Sequence, residues 1–294
     1  MIIAKPFVKW VGGKTQLLEE VEKSLPKNFS EKERLMYVEP FVGGGAVLFW
    51  IMQKFPNIRR AVINDVNKEL ITTYRVVKLD VEPLISMLTI MQNEYLSRNK
   101  DLRKEYFLKK RELFNSKNLS DIETATLFIF LNKTCFNGLY RVNAKGEFNV
   151  PHGRYVNPKI CDPDNLRAAS LVLQKVKIQC GDFSETIKWA SDDVLFYLDP
   201  PYRPITETSS FTSYSKNGFD DSEQIRLRDF CAELSNRGAI FIASNSDPQN
   251  TCSTNVFFDE LYEDFNIKRV YASRMINSKA DGRGKLTEIM ISNV

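Results

Sequence analysis

The chain has 294 residues, 43% of them hydrophobic and 27% charged, a balance that excludes a disordered chain, a collagen-like repeat and a small disulfide scaffold. Its length suits one large or two modest domains. The net charge of +4 is mildly basic, which permits a polyanionic partner without demanding one.

No apolar run reaches the roughly 18 residues that span a bilayer. The start, Met1-Ile-Ile-Ala-Lys5-Pro6-Phe7, lacks the basic and apolar regions of a signal peptide. A cytoplasmic protein without a membrane anchor is expected. The five cysteines (Cys135, Cys161, Cys180, Cys231, Cys252) are scattered and never spaced C-x-x-C, so they read as reduced thiols and not as a zinc site. The single histidine, His152, excludes a multi-histidine metal centre. It reads as a loop or interface residue.

In chain order, Leu35 to Val38 reads as a buried strand. Gly43-Gly44-Gly45 follows, then a helix over Ala46 to Met52, then a second strand over Ala61 to Ile63 closed by Asn64-Asp65. Strand, glycine turn, helix, strand and acid together open an α/β parallel sheet. Residues 68 to 132 carry long helical patterns, with Ser120 to Glu123 as a capping box before the apolar run Ala125 to Leu131. Lys145-Gly146, between Leu139 to Val142 and Phe148 to Val150, predicts a β-hairpin. Strands return at Val176 to Ile178, Val194 to Leu198, Ala239 to Ala243 and Ile289 to Ile291. The simplest account is an α/β domain formed by residues 1–67 and 158–294, interrupted by a mostly helical insertion over 68–157. A linear two-domain split is the alternative.

Three segments carry chemistry. The glycine turn at Gly43 to Gly45 lets backbone approach a nucleoside, and Asp65 can accept hydrogen bonds from ribose hydroxyls. A tight turn with a helix-capping acid is the competing reading. Trp10-Val-Gly12-Gly13-Lys14 is no P-loop, because the position that pattern requires to be glycine is Val8. Its aromatic and its cation suit the charged amino-acid end of a cofactor, against a core Trp and a surface Lys. Asp199-Pro200-Pro201-Tyr202 follows an apolar strand, at the end where open α/β sheets place ligands. Two prolines remove two N–H donors and leave rigid carbonyls. A carboxylate, a backbone acceptor and an aromatic face fit a planar base with an exocyclic amine: Asp199 and the Pro200 carbonyl accept its hydrogens while Tyr202 stacks on the ring.

Five motifs, in order, carry a family resemblance. They are Phe7-Val-Lys-Trp10-Val-Gly-Gly-Lys14, Glu39-Pro-Phe-Val-Gly-Gly-Gly45, Asn137-Gly-Leu-Tyr-Arg141 with Gly146 to Tyr155, Cys180-Gly-Asp182-Phe183 and Asp199-Pro-Pro-Tyr202. The chain resembles the Dam- and DpnM-like DNA adenine-N6 methyltransferases that act on GATC, the D12 class. The resemblance implies a Rossmann-like methyltransferase sheet with a target-recognition insertion, and S-adenosylmethionine as methyl donor with no metal. It implies that Trp10 and Lys14 meet the methionine end of that donor, that Phe41, Gly43 and Gly45 line its pocket, that Asp65 holds its ribose, and that Asp182 and Phe183 hold its adenine. Departures are Gly44, where relatives often carry Ala, Phe136, where they often carry Tyr, and Lys133-Thr134-Cys135, which replaces a more polar stretch.

Adenine N6 is a poor nucleophile, so positioning and electrostatics must carry the catalysis. The base has to leave the duplex to be reached. The stretch from Arg98 to Arg111 holds seven basic and two acidic residues and suits phosphate contact or a solvated helix face. By resemblance, Arg141 reads the first guanine, since arginine pairs bidentately with O6 and N7, and Leu139 and Pro151 lie near the thymine methyl. Lys9, Asn137, Tyr140 and Tyr155 are further DNA contacts, and Ser209 to Tyr214 is a loop closing on the flipped base. Expected partners are double-stranded DNA and a restriction endonuclease acting on the same site, with the enzyme a monomer or weak dimer. Methylation of cytosine N4, RNA adenine or a glutamine amide is the near alternative, though Asp199 favours adenine. A non-catalytic DNA-binding module is the distant one. A nicotinamide dehydrogenase fails for want of G-x-G-x-x-G.

Overall fold

The computed structural model describes residues 2–10, 12–203, 219–273 and 285–294. A 3-10 turn at Lys14–Gln16 leads into helix α1 (Leu18–Lys23), strand β1 (Leu35–Glu39), helix α2 (Ala46–Lys54) and strand β2 (Ile58–Asp65). Helices α3 (Lys68–Leu79), α4 (Val81–Leu96), α5 (Lys100–Asn115), α6 (Asp121–Thr134) and α7 (Pro163–Leu173) come next. The rest is β3 (Val176–Cys180), β4 (Val194–Leu198), α8 (Asp221–Asn236), β5 (Ile240–Ser246), α9 (Phe257–Leu261), β6 (Asn266–Ser273) and β7 (Lys285–Ser292).

The strands form a seven-stranded sheet in the order β3-β2-β1-β4-β5-β7-β6. Strands β1, β4 and β5 pair in parallel, and β7 runs antiparallel to both β5 and β6. This is the α/β class expected from the strand–glycine–helix opening, and the Rossmann-like sheet that the family resemblance implies. Strand β4 lies between two neighbours and is buried at every position, so its apolar run Val194 to Leu198 marked its bounds in the sequence. The edge strand β6 has no such signal. Lys268 and Arg269 interrupt it and Tyr271 is largely exposed, and sequence reading missed it.

The chain forms two compact units. The first comprises Met1–Gly13, Val42–Pro56 and Ile63–Gly181, the second Lys14–Phe41, Asn57–Val62 and Asp182–Val294. In the first, α6 packs against α3, α4 and α5 and is buried from Ala125 through Asn132. Its start is the expected capping box: the Ser120 hydroxyl accepts the Glu123 N–H, and Glu123 accepts the Ser120 N–H at 2.9 Å. In the second unit, Val38, Val194, Phe196, Leu198, Phe241, Ile289 and Ile291 form the core together with Leu227, Phe230 and Leu234 of α8.

The predicted hairpin is shorter than its sequence pattern. Only Val142 and Phe148 pair as a β-bridge, although the turn itself is tight, with Gly146 N–H donating to the Asn143 carbonyl at 2.8 Å. The outer edge of Phe148 is taken by Asn115, whose side chain bonds both its N–H (2.8 Å) and its carbonyl (3.0 Å), so no further ladder forms there. His152 packs within the first unit: the Tyr95 hydroxyl meets its Nε2 at 2.7 Å and Phe107 packs on its ring. No helix among the described residues is long and apolar enough to cross a membrane.

Candidate functional site

The candidate residues fall in both units. In the first, the glycine turn is held at its backbone atoms. Gly43 and Gly45 have positive φ (47° and 74°), a region side chains disfavour. Gly45 is the N-cap of α2. The Gly43 N–H donates to Asp65 Oδ2 at 3.1 Å, and the Tyr74 hydroxyl donates to the Gly43 carbonyl at 3.0 Å. Trp10 lies against the turn, so a Cβ at Gly43 would stand 2.6 Å from its ring. Asp65 Oδ1 accepts the Asn67 N–H at 2.9 Å. The cap of α3 is Asn67, not Asp65, so the helix-capping alternative for Asp65 falls. Burial lifts the Asp65 carboxyl to about 6, against the pull of these N–H donors.

The first unit also gathers the expected DNA contacts. Asn132, at the end of α6 and 3% exposed, is their anchor. Its side chain accepts the Lys9 N–H (2.7 Å) and donates to the carbonyls of Lys9 (2.8 Å) and Gly138 (2.9 Å). Two segments distant in sequence are thereby fixed side by side. Asn137 and Gly138 both have positive φ, and a Cβ at Gly138 would strike the Lys9 side chain. The Lys9 ammonium sits 4.4 Å above the Tyr155 ring. Phe136 N–H donates to the Pro151 carbonyl at 2.8 Å. Asn137, Pro151 and Arg141 are exposed and Leu139 is half-buried, and Asn149 orients the Arg141 guanidinium at 2.8 Å.

Two expectations change here. Tyr140 is buried and stacked on Trp10, which makes it a packing residue and not a contact. In the basic stretch, Arg103 is spent on the carbonyls of Leu96, Arg98 and Val156. It fastens the α4–α5 junction. The loop expected at Ser209 to Tyr214 lies outside the described residues.

The second unit holds the tetrapeptide Asp199 to Tyr202, directly after β4. Lys14, 5% exposed, places its ammonium 3.0 Å from Asp199 Oδ1 and 3.6 Å from Glu288 Oε2. It also donates to the Tyr202 hydroxyl and lies 4.2 Å over the Tyr202 ring. The Ser244 hydroxyl donates to the same Asp199 oxygen at 3.0 Å. Oδ1 is thus held by two donors, while among the described residues Oδ2 and the Pro200 carbonyl have none. Tyr202 donates its hydroxyl proton to Glu288 at 2.5 Å. Behind the tetrapeptide, Gln224 donates to the Pro201 carbonyl at 3.4 Å and Asn245 accepts the Arg203 N–H at 3.2 Å. Burial raises the Asp199 carboxyl above the usual carboxylate value, opposed by Lys14 and Ser244. The surface-lysine alternative for Lys14 fails, because this ammonium is buried against carboxylates.

Phe41 and Phe183 meet in the same unit, ring centroids 5.2 Å apart, with Phe219 closing the cluster. Asp182 caps the 3-10 turn Phe183–Trp189 and accepts two bonds from Arg226 at 2.8 and 2.7 Å. That guanidinium, which also lies over Phe183, holds the Asp182 carboxyl well below the usual range.

Sequence reading missed Ser244, Glu288, Asn132, Tyr74 and Arg226. Only Glu288 left a trace, as an acid beside the apolar run Ile289 to Ile291. What the second unit offers is a fixed carboxylate and a rigid carbonyl, each with an oxygen that no donor among the described residues occupies, an acceptor pair for an amine.

The sequence pattern of the D12 class N6 adenine-specific DNA methyltransferases matches residues 10–276. The type II methyltransferase M.MjaIII of Methanocaldococcus jannaschii is 50% identical over 293 residues, 98% of this chain and 99% of its own. The type II methyltransferase M1.LlaDCHI of Lactococcus lactis is 40% identical over 294 residues, 98% and 95% of the two chains. The DNA adenine methylase of Escherichia coli is 32% identical over 292 residues, 97% and 94%.

Proposed function

The chain belongs to the D12 class of N6 adenine-specific DNA methyltransferases, and on that premise we propose that it uses S-adenosylmethionine to methylate the adenine of GATC in duplex DNA. The observation that supports the chemistry best is the pair of acceptors at Asp199 Oδ2 and the Pro200 carbonyl. They take the two N6 hydrogens of an extruded adenine and turn its lone pair outwards. The Tyr202 ring, with Lys14 over one face, offers the other face for stacking. The donor supplies a methyl carbon already activated by a sulfonium, so the chain's own work is to align and to keep Asp199 ionised.

Trp10, Lys14, Phe41, Gly43, Gly45, Asp65, Asp182 and Phe183 bind the donor. Lys14 then serves two ends, the donor and Asp199. Lys9, Asn137, Leu139, Arg141, Pro151 and Tyr155, within the recognition segment 68–157 and its N-terminal neighbour, bind the duplex, with Arg141 reading the first guanine. Two relatives carry the name type II methyltransferase. On that ground we extend the proposal to a restriction endonuclease cutting the same sequence as partner; a monomer or weak dimer acting in the cytoplasm completes the proposal.

Incubation with methyl-labelled S-adenosylmethionine and a GATC duplex tests the whole reading. Labelled N6-methyladenine is expected in that duplex and not in duplexes altered at the first guanine. Label absent from every GATC-containing DNA would end the proposal.

A further inference from the structure

Glu288 stands in β7 at a place where the sheet would accept an uncharged residue. Its register partners are Ser246 of β5 and Val270 of β6, and neither carries a charge. The charged and titratable groups that face it come from elsewhere: Lys14 from the 3-10 turn Lys14–Gln16, Asp199 and Tyr202 from the segment after β4, and Tyr197 from β4 itself. Its Oε2 accepts the Tyr202 hydroxyl at 2.5 Å and lies 3.6 Å from the Lys14 ammonium. The same ammonium stands 3.0 Å from Asp199 Oδ1. One buried cation therefore serves two carboxylates, and only one of them can meet a substrate amine through the acceptor pair described above.

A carboxylate that must accept from an amine is weakened by a full ion pair, because a cation drawn wholly onto it competes for its lone pairs and its charge. A second carboxylate that draws part of the cation away relieves that competition. A phenol clamped at its hydroxyl is a ring fixed in tilt, and stacking depends on tilt.

We propose that Glu288 is a positioning residue for methyl transfer, holding the Tyr202 phenol and sharing the Lys14 ammonium so that Asp199 keeps an oxygen open for the target amine. This rests on the adenine-methylating role given to Asp199. Glu288 touches no reacting atom in this scheme. It acts through Tyr202 and Lys14, with Asp199 as the group that benefits.

The sign of the pH effect separates this role from a merely structural one. The negative charge of Glu288 raises the Asp199 carboxyl, and Lys14 lowers it. Glu288→Gln removes that negative charge and leaves Lys14 to Asp199, and both changes lower the Asp199 value. The acid limb of the rate must therefore move to lower pH even as the plateau falls.

The test is steady-state methylation of a GATC duplex by the full chain, comparing wild type, Glu288→Gln, Glu288→Asp and Asp199→Asn, with donor affinity measured by titration. Glu288→Gln should lower kcat on the order of tenfold to a hundredfold with both KM values within about threefold, and its acid limb should move down by roughly half a pH unit or more. Glu288→Asp keeps the charge and should restore part of kcat and the original limb. A Glu288→Gln enzyme with kcat within twofold of wild type, or with an acid limb that stays or moves to higher pH, overturns the proposal. Loss of donor binding in both Glu288 variants also overturns it, since the residue would then be structural. Full activity in Asp199→Asn removes the reading beneath it, independently of what Glu288 does.

Discussion

The glycine turn and the Asp199–Tyr202 tetrapeptide both follow buried strands, yet they are fixed by opposite means. The turn is an object of backbone shape: positive φ at Gly43 and Gly45, with the Gly43 N–H and carbonyl held by the Asp65 and Tyr74 side chains. The tetrapeptide is a side-chain object. Lys14, Ser244 and Glu288 reach it from three distant parts of the sequence. Backbone objects fail when a side chain is added, side-chain objects when one is removed.

The largest effect should come from the second kind. Asp199→Ala removes the fixed acceptor and should reduce methyl transfer by on the order of a thousandfold, while donor affinity, read by fluorescence titration, stays near wild type. Full turnover in that variant would contradict the role assigned to Asp199. Next is Arg141→Ala, which keeps the hairpin turn at Asn143 and Gly146 but loses the guanidinium held by Asn149. Discrimination against a changed first base should fall by about 1–3 kcal/mol, measured as the ratio of kcat/KM values on matched and altered duplexes. An unchanged ratio would remove Arg141 from recognition.

A smaller effect sharpens the contrast from the backbone side. A Cβ at Gly45 meets the Tyr74 hydroxyl at 2.5 Å at a φ of 74°, so Gly45→Ala should cost about 1–3 kcal/mol of stability. A Cβ at Gly44 meets the Trp10 Cβ at 3.0 Å, with Val8 O and Trp10 Cγ at ordinary contact distance and no positive φ, so Gly44→Ala should cost less than about 1 kcal/mol. Denaturant midpoints decide it, and equal losses at the two positions would count against a φ-based account of the turn.

The smallest effect is a displacement along the pH axis. Asp199 must be ionised to accept from the amine, and burial raises it above the free value of 3.8. Activity is therefore full at higher pH and lost as pH falls through that raised value. A kcat profile whose acid limb sits at or below 3.8 would show the carboxylate is not held as described.

This contrast also explains what the sequence disclosed. Strands β1 and β4, the glycine turn, the capping box at Ser120 and Glu123 and the acid that ends β2 were legible, because each is written in consecutive residues by burial, conformation or capping. Edge strand β6 was not, since its charged residues break the apolar run by which the central strands are read. The fate of Tyr140 and Arg103 was hidden for another reason. Composition marks an aromatic or a cation, but only packing against Trp10 or a helix end decides whether it turns inwards. Lys14 was recognised as important from its motif, while its bond to Asp199 joins positions far apart in the chain, and no local pattern encodes such a partner. Ser244 and Glu288 were missed on the same account.

Asn132 has a consequence for anyone wishing to retarget this enzyme. Its amide ties Lys9 to Gly138 through three hydrogen bonds, so the N-terminal arm and the segment leading into the hairpin share one hinge pin. A hairpin transplanted from a relative will bring the arginine proposed to read the first guanine but not its docking, unless the recipient supplies an amide of the same length beneath it. Swaps that carry the end of α6 along with the hairpin are the ones that should keep their grip on the duplex.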